Sequence, residues 1–217
     1  EAGELPVGDL PAAAAGADRL ISVTPYFLET DQSGLYDHYA RLADATDLPL
    51  LLYHLPSMTG QTLEVDTVAD VATTLDTVVG LKDSSGDLTW GSRVMANTPD
   101  DFAYLQGLGS LLLPSLVLGA DGGVTGTANV APDPLLTVYD AYRAGELDRA
   151  RAVQMETVTP LANALMGGTF PAGFKTGARL AGRDLGVTRP PARGYSETER
   201  ASLRDTMDSL GLLAPDR

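Results

Sequence analysis

Short continuous apolar runs recur along this chain, and each is followed by a segment whose apolar residues fall three and four apart. Residues 19–24 (RLISVT) read as a strand closed by Pro25. Residues 32–45 carry Leu35, Tyr36, Tyr39 and Leu42 at helical spacing. Residues 48–53 (LPLLLY) form an apolar run too short for a helix and ended by Pro56, while 64–75 set Val65, Val68, Ala69 and Ala72 on one helical face. A strand over 77–82 precedes a helix over 88–96; a strand over 102–105 precedes a helix over 110–118, and 122–125 is again a strand. From Pro132 onward the pattern is helical, over 135–142, 147–165, 172–180 and 197–210. The Ala-, Gly- and Pro-rich opening, with its Ala12 to Ala15 run, reads as a helix end or a loose start.

Strands thus begin near residues 19, 48, 77, 102 and 122, each followed by a helix. Continuous apolar strands alternating with helices indicate a parallel sheet covered on both faces. A (β/α)₈ barrel usually needs about 250 residues, more than the 217 present. Two architectures fit: an open five-stranded α/β sheet with a helical tail, or a TIM barrel whose first three βα units are absent from this sequence. On the barrel reading, residues 1–145 are a partial barrel (strands four to eight) and 146–217 a C-terminal helical extension.

Composition narrows the function. At 44% hydrophobic residues the chain is globular. It contains no cysteine, which excludes disulfide and thiolate chemistry, and only His38 and His54, which excludes a histidine-rich metal site. The formal charge of −14 argues against nucleic acid or an anionic membrane as partner. Its acids are scattered, and with many Thr and Ala and almost no Lys they resemble the salt-adapted surfaces of haloarchaeal proteins. No apolar run reaches transmembrane length and the first residues lack signal-peptide character, so a cytoplasmic location is expected.

Candidate chemistry centres on Lys82. Thirteen of the 15 basic residues are arginine, and only Lys82 and Lys175 are lysine. Arginine cannot deprotonate to form an imine, whereas a desolvated lysine can attack a ketone. In VVGLKDSSGD the apolar run delivers Lys82 to the end of a strand, at the C-terminal edge where parallel α/β folds build their sites. The plainer reading makes Lys82 a strand-end cation paired with Asp83 or Asp87. Tyr53, ending the preceding strand in YHLPSMTG, supplies a phenol suited to proton shuttling; by itself it reads more readily as an aromatic cap on the core, and its pairing with Lys82 favours the chemical role. GxGxxG, P-loop, GxSxG and HExxH motifs are absent. Glycine-rich GADGGVTG (119–126) lacks a P-loop lysine and reads as close backbone packing. Thr59 and Ser84 are candidates to bond substrate hydroxyls, or to cap their loops.

GADRLISVTPYF, YHLPSMTG, VVGLKDSSGD and GADGGVTGTANVAP, in this order and spacing, resemble successive landmarks of the dihydrodipicolinate synthase/N-acetylneuraminate lyase superfamily. The resemblance runs from about Gly16 to the end. It implies a (β/α)₈ barrel with a C-terminal helical extension, a homotetramer, and class I aldolase or lyase chemistry without cofactor or metal. Lys82 matches the lysine that forms the Schiff base with pyruvate or another 2-keto acid, and Tyr53 matches the tyrosine of the proton relay. Gly107 and Val124 match residues that line the substrate pocket.

Three departures accompany it. The carboxylate-binding Gly-Thr-Thr-Gly loop belongs to the second strand and is absent with the first three units, which points to a longer natural protein. Met58 stands where dihydrodipicolinate synthases carry arginine, and Phe27 stands where family members lend a tyrosine to a neighbouring subunit. YHLPSMTG and Arg189-Pro190-Pro191 look closest to archaeal 2-keto-3-deoxygluconate aldolases. The resemblance therefore implies cleavage of a 2-keto-3-deoxy sugar acid to pyruvate and an aldehyde. The alternatives are dihydrodipicolinate synthase or a keto-acid dehydratase, and, in another class, a catalytically silent assembly subunit. Lys175 matches a lysine of the family's C-terminal helices and reads as structural.

Overall fold

A computed structural model describes residues 16–215; the Ala12 to Ala15 run lies outside them. Strands β1 (Leu20–Val23), β2 (Leu50–His54), β3 (Val78–Asp83), β4 (Ala103–Gln106) and β5 (Gly122–Gly123) follow one another in sheet order. β1 pairs with β2 in parallel from Leu20↔Leu50 to Val23↔Tyr53. β2 pairs with β3 in parallel, Tyr53 opposite Lys82 and His54 opposite Asp83, after an irregularity at Leu50/Leu51. Helices α1 (Gln32–Asp44), α2 (Pro56–Thr59), α3 (Val65–Thr74) and α4 (Leu88–Asn97) connect the first four strands. Every strand lies within a few residues of the span its apolar run predicts. β5 is the shortest, two residues long where four are expected, and a 3₁₀ segment follows at Gly126–Asn129.

The chain divides into two compact units. The first comprises Glu1–Leu105 with Gly119–Asp121. Its core is built by alternation: Leu50 and Leu52 of β2 and Leu81 of β3 bury one face of the strands with Leu35 and Tyr39 of α1, Val68 and Val71 of α3, and Val94 of α4. α1 starts where Asp31 accepts the Gly34 N–H (2.9 Å), and α4 where Asp87 accepts the N–H groups of Thr89 and Trp90 (2.9 and 3.0 Å). The single-turn α2 was not anticipated. Pro56 opens it and Gly60 closes it in the left-handed region (φ 73°), the conformation glycine reaches without penalty.

The second unit holds Gln106–Leu118 and Gly122–Arg217. It contains α5 (Leu112–Leu118), α6 (Pro132–Arg143), α7 (Leu147–Val153), α8 (Thr159–Leu165), α9 (Ala172–Leu180) and α10 (Glu197–Ser209). The helix expected over 147–165 is continuous but carries a π-helical turn at Gln154–Val158. There the buried Gln154 amide donates to the carbonyls of Gly109 (3.1 Å) and Ser110 (3.3 Å), and its oxygen accepts the Leu113 N–H (3.1 Å). One side chain so adds hydrogen bonds to several backbone groups at the start of α5. α10 begins with a full capping box between Ser196 and Glu199.

Candidate active site

Alternation along β2 and β3 assigns the strand-end residues to two faces. Tyr53 and Lys82, directly opposite in the parallel register, share one face; His54 and Asp83, the next pair, point to the other. The Lys82 Nζ lies 4.0 Å from the centroid of the Tyr53 ring. The Ser84 hydroxyl, two residues beyond Lys82, is 3.5 Å from the Tyr53 hydroxyl, at the outer limit of a hydrogen bond. Lys82, Tyr53 and Ser84 are thereby brought together at adjacent strand ends.

The opposite face explains why the Lys82 strand end is held so firmly. Asp83 is buried, accepting the Tyr104 hydroxyl at 2.7 Å and the Ser85 N–H at 2.8 Å. The Asp83 charge and burial together hold the Tyr104 phenol well above its ordinary range, burial being the larger cause. His54 stacks on Trp90 at 4.0 Å between ring centroids, and Trp90 donates its indole N–H to the Leu63 carbonyl (2.9 Å). Burial pushes the His54 imidazole below its ordinary value, against the opposing pull of Asp83 and Asp87. The carboxylates nearest in sequence to Lys82 therefore have other partners: Asp83 binds Tyr104 and Ser85, and Asp87 caps α4. No ion pair of Lys82 is found among the described residues, which removes the plainer reading of that lysine.

Thr59 lies at the end of α2 and its hydroxyl is engaged within the protein. It receives a hydrogen bond from the Thr24 hydroxyl (3.0 Å) and is 3.1 Å from the Leu55 carbonyl, to which it can donate. This is the loop-capping arrangement weighed for it above. Sequence reasoning assigned no role to Thr24, which is fully buried at the end of β1 with its N–H directed to the Tyr53 carbonyl (3.4 Å). A threonine between a strand and Pro25 was the available signal.

Gly107 and Val124 belong to the second unit. Gly107 lies in a turn closed by Gln106, whose side-chain oxygen accepts the Leu108 N–H (2.8 Å) while its amide donates to Ser115 (2.7 Å). Val124 donates its N–H to the Gln106 carbonyl (2.9 Å) and is half exposed. The glycine-rich run packs closely, as expected: a Cβ on Gly123 would meet the Gln106 carbonyl oxygen at 3.0 Å. Among the described residues no group of three or more His, Cys, Asp or Glu is arranged to hold a metal ion.

The profile of the Dihydrodipicolinate synthetase family matches residues 10–210. The chain belongs to that family. Among curated relatives it is similar to 4-hydroxy-tetrahydrodipicolinate synthase of Methanopyrus kandleri, at 39% identity over 93% of this chain and 67% of the relative. It is likewise similar to an uncharacterized DapA-like lyase of Halobacterium salinarum, at 41% identity over 93% of this chain and 66% of the relative. Among solved structures, dihydrodipicolinate synthase of Thermotoga maritima superposes with a TM-score of 0.88 at 32% identity, covering 93% of this chain and 69% of that one. The family is one of lyases and aldolases on a TIM barrel, so the five strands here are part of a (β/α)₈ fold and not an open sheet. The chain spans about two thirds of the length of these relatives. Among the described residues no helix is long and apolar enough to cross a membrane.

Proposed function

We propose that Lys82 forms a Schiff base with pyruvate or another 2-keto acid, and that the protein is a class I lyase making or breaking a carbon–carbon bond through that imine. The observation that carries the reading is the pairing of Lys82 with Tyr53 across adjacent parallel strand ends, at 4.0 Å. In the cleavage direction the neutral amine adds to the C2 ketone and water leaves, giving a protonated imine. The C4 hydroxyl gives up its proton, the C3–C4 bond breaks to release an aldehyde, and its electron pair passes to the imine nitrogen as an enamine. Protonation at C3 and hydrolysis return pyruvate and the lysine amine. Tyr53, its hydroxyl 3.5 Å from that of Ser84, moves the protons, a role worth about 10²–10⁴ in rate.

Gly107 and Val124 line the substrate pocket on this reading, Ser84 bonds a substrate hydroxyl, and Thr59 keeps its side chain for the loop and supports the site indirectly. As the substrate cleaved we favour a 2-keto-3-deoxy sugar acid, whose aldehyde half carries no carboxylate, because the exposed Met58 offers no cation to a second carboxylate. The second reading is the condensation with aspartate semialdehyde, favoured by relatives named 4-hydroxy-tetrahydrodipicolinate synthase. We further propose residues 146–217 as the helical extension of the barrel, a cytoplasmic location, and a homotetramer.

Borohydride reduction in the presence of pyruvate, followed by peptide mass spectrometry, tests the chemistry. A reduced adduct on Lys82, absent in Lys82→Arg, is expected. Absence of any adduct from the full-length protein would sink the imine and favour a silent assembly subunit. Parallel assays of ketodeoxygluconate cleavage and aspartate-semialdehyde condensation decide between the two aldehydes.

A further inference from the structure

We infer that the second unit contains a binding site for a compact oxyanion, a phosphate or carboxylate, distinct from the strand ends of the first unit. The chain carries −14 overall, yet residues 172–200 hold six of its 15 Lys and Arg and only three of its 29 Asp and Glu, a local net of +3. Three of the six line a cavity of about 270 Å³ between α9 and the segment leading into α10. Ala172, Lys175, Thr176 and Arg179, spaced three and four apart, present one face of α9 to it, and Arg200 of α10 adds a third cation. Among the described residues no carboxylate lines it. A concave site lined by one sign of charge raises the local concentration of the opposite ion.

The donors retain capacity for a ligand. The Lys175 ammonium uses one of its three hydrogens on the Leu185 carbonyl (2.8 Å). Arg179 turns Nε and Nη2 to Asp184, which cancels one charge, and leaves Nη1 unengaged. Arg200 makes no ion pair or side-chain hydrogen bond among the described residues, and neither do the Thr176 and Thr188 hydroxyls that line the same cavity. With Asp184 counted, the three cations leave a net of two positive charges facing a space too small for a nucleic acid or a lipid surface. Guanidinium and ammonium groups converging on such a space suit an oxyanion that accepts several hydrogen bonds at once. Both lysines of this arginine-rich chain thus stand at places of chemical use, Lys82 at a strand end and Lys175 in this cavity.

The test is calorimetric titration of the intact chain with inorganic phosphate, and with succinate as the carboxylate arm, at ionic strength held constant with potassium chloride. Saturable binding of at least one of them is expected, weakened tenfold or more in Arg200→Gln and unchanged in Lys82→Arg. Arg200 is exposed and without an ion pair among the described residues, so Arg200→Gln keeps the fold, as its urea midpoint verifies; Lys175→Gln provides a second, independent variant. Failure of both anions to bind saturably, binding indifferent to Arg200→Gln and Lys175→Gln, or binding lost in Lys82→Arg would each overturn the site.

Discussion

The Nζ of Lys82 stands over the face of the Tyr53 ring, 4.0 Å from its centroid, and not at the phenol oxygen. A cation over an aromatic face is stabilised by about 0.5–2 kcal/mol, depending on desolvation. Ammonium and protonated imine are both cations, so the ring serves both without distinguishing them. On the proposed mechanism the hydroxyl, 3.5 Å from that of Ser84, is left to move protons.

Ring and hydroxyl are separable by Tyr53→Phe. On the proposed mechanism the reduced pyruvate adduct on Lys82 persists in this variant, because the ring remains. Turnover falls by about 10²–10⁴-fold, the range of a lost proton shuttle. Adduct yield by mass spectrometry and kcat with the competent keto acid are the two readouts. An unchanged kcat would remove the hydroxyl from the mechanism.

Gly80, two residues before Lys82 on the same face of β3, sets how closely β4 approaches. A Cβ there would lie 2.5 Å from the Ala103 carbonyl oxygen and 3.0 Å from its Cβ. Backbone cannot yield as a flexible side chain does, so Gly80→Ala is expected to destabilise by about 1–3 kcal/mol. The urea midpoint should drop with an unchanged slope; a midpoint within error of wild type would show that the strands separate without cost.

Much of this was readable from sequence because the strands are short apolar runs that nothing else competes for. Leu50 to Tyr53 and Val78 to Lys82 pair in one parallel register that buries Leu50, Leu52 and Leu81, and it carries Tyr53 and Lys82 to the same edge. What stayed hidden depends on contacts distant in sequence. Asp83 reads as a possible ion partner of Lys82, and only the fold reveals Tyr104, 21 residues on, as the group it binds. The π-turn at Gln154 answers to carbonyls 44 and 45 residues earlier, which helical periodicity cannot register. Thr24 and Thr59, 35 residues apart, meet for the same reason.

Asp83 and Tyr104 form a buried pair whose removal should be felt in stability. Tyr104→Phe takes away the donor at 2.7 Å and leaves a nearly inaccessible carboxylate with the Ser85 N–H. Stranding part of a buried acceptor costs about 1–3 kcal/mol. Equilibrium urea unfolding near neutral pH reads this directly. Equal stability of Tyr104→Phe and wild type would mean that water replaces the phenol.

Histidine burial predicts the pH dependence. His54 is held below its ordinary value of 6.5 chiefly by burial, with Asp83 and Asp87 opposing, and His38 is lowered by burial and by Arg41. In the unfolded chain both take up protons near pH 6.5, while the folded protein resists them. The unfolded state then binds more protons, so stability is full above pH 6.5 and declines as pH falls below it. Each histidine contributes a slope of at most about 1.4 kcal/mol per pH unit. Glu199 does not obscure this window: held at about 2 by Arg193, it keeps its contribution above its ordinary 4.5 and loses it only as pH falls towards 2. Urea midpoints at pH 7.5, 6.5 and 5.5 should therefore decrease, and His54→Gln should reduce that decrease to the part due to His38. A wild-type midpoint that rises on acidification would reverse the sign and show that Asp83 and Asp87, not burial, govern His54.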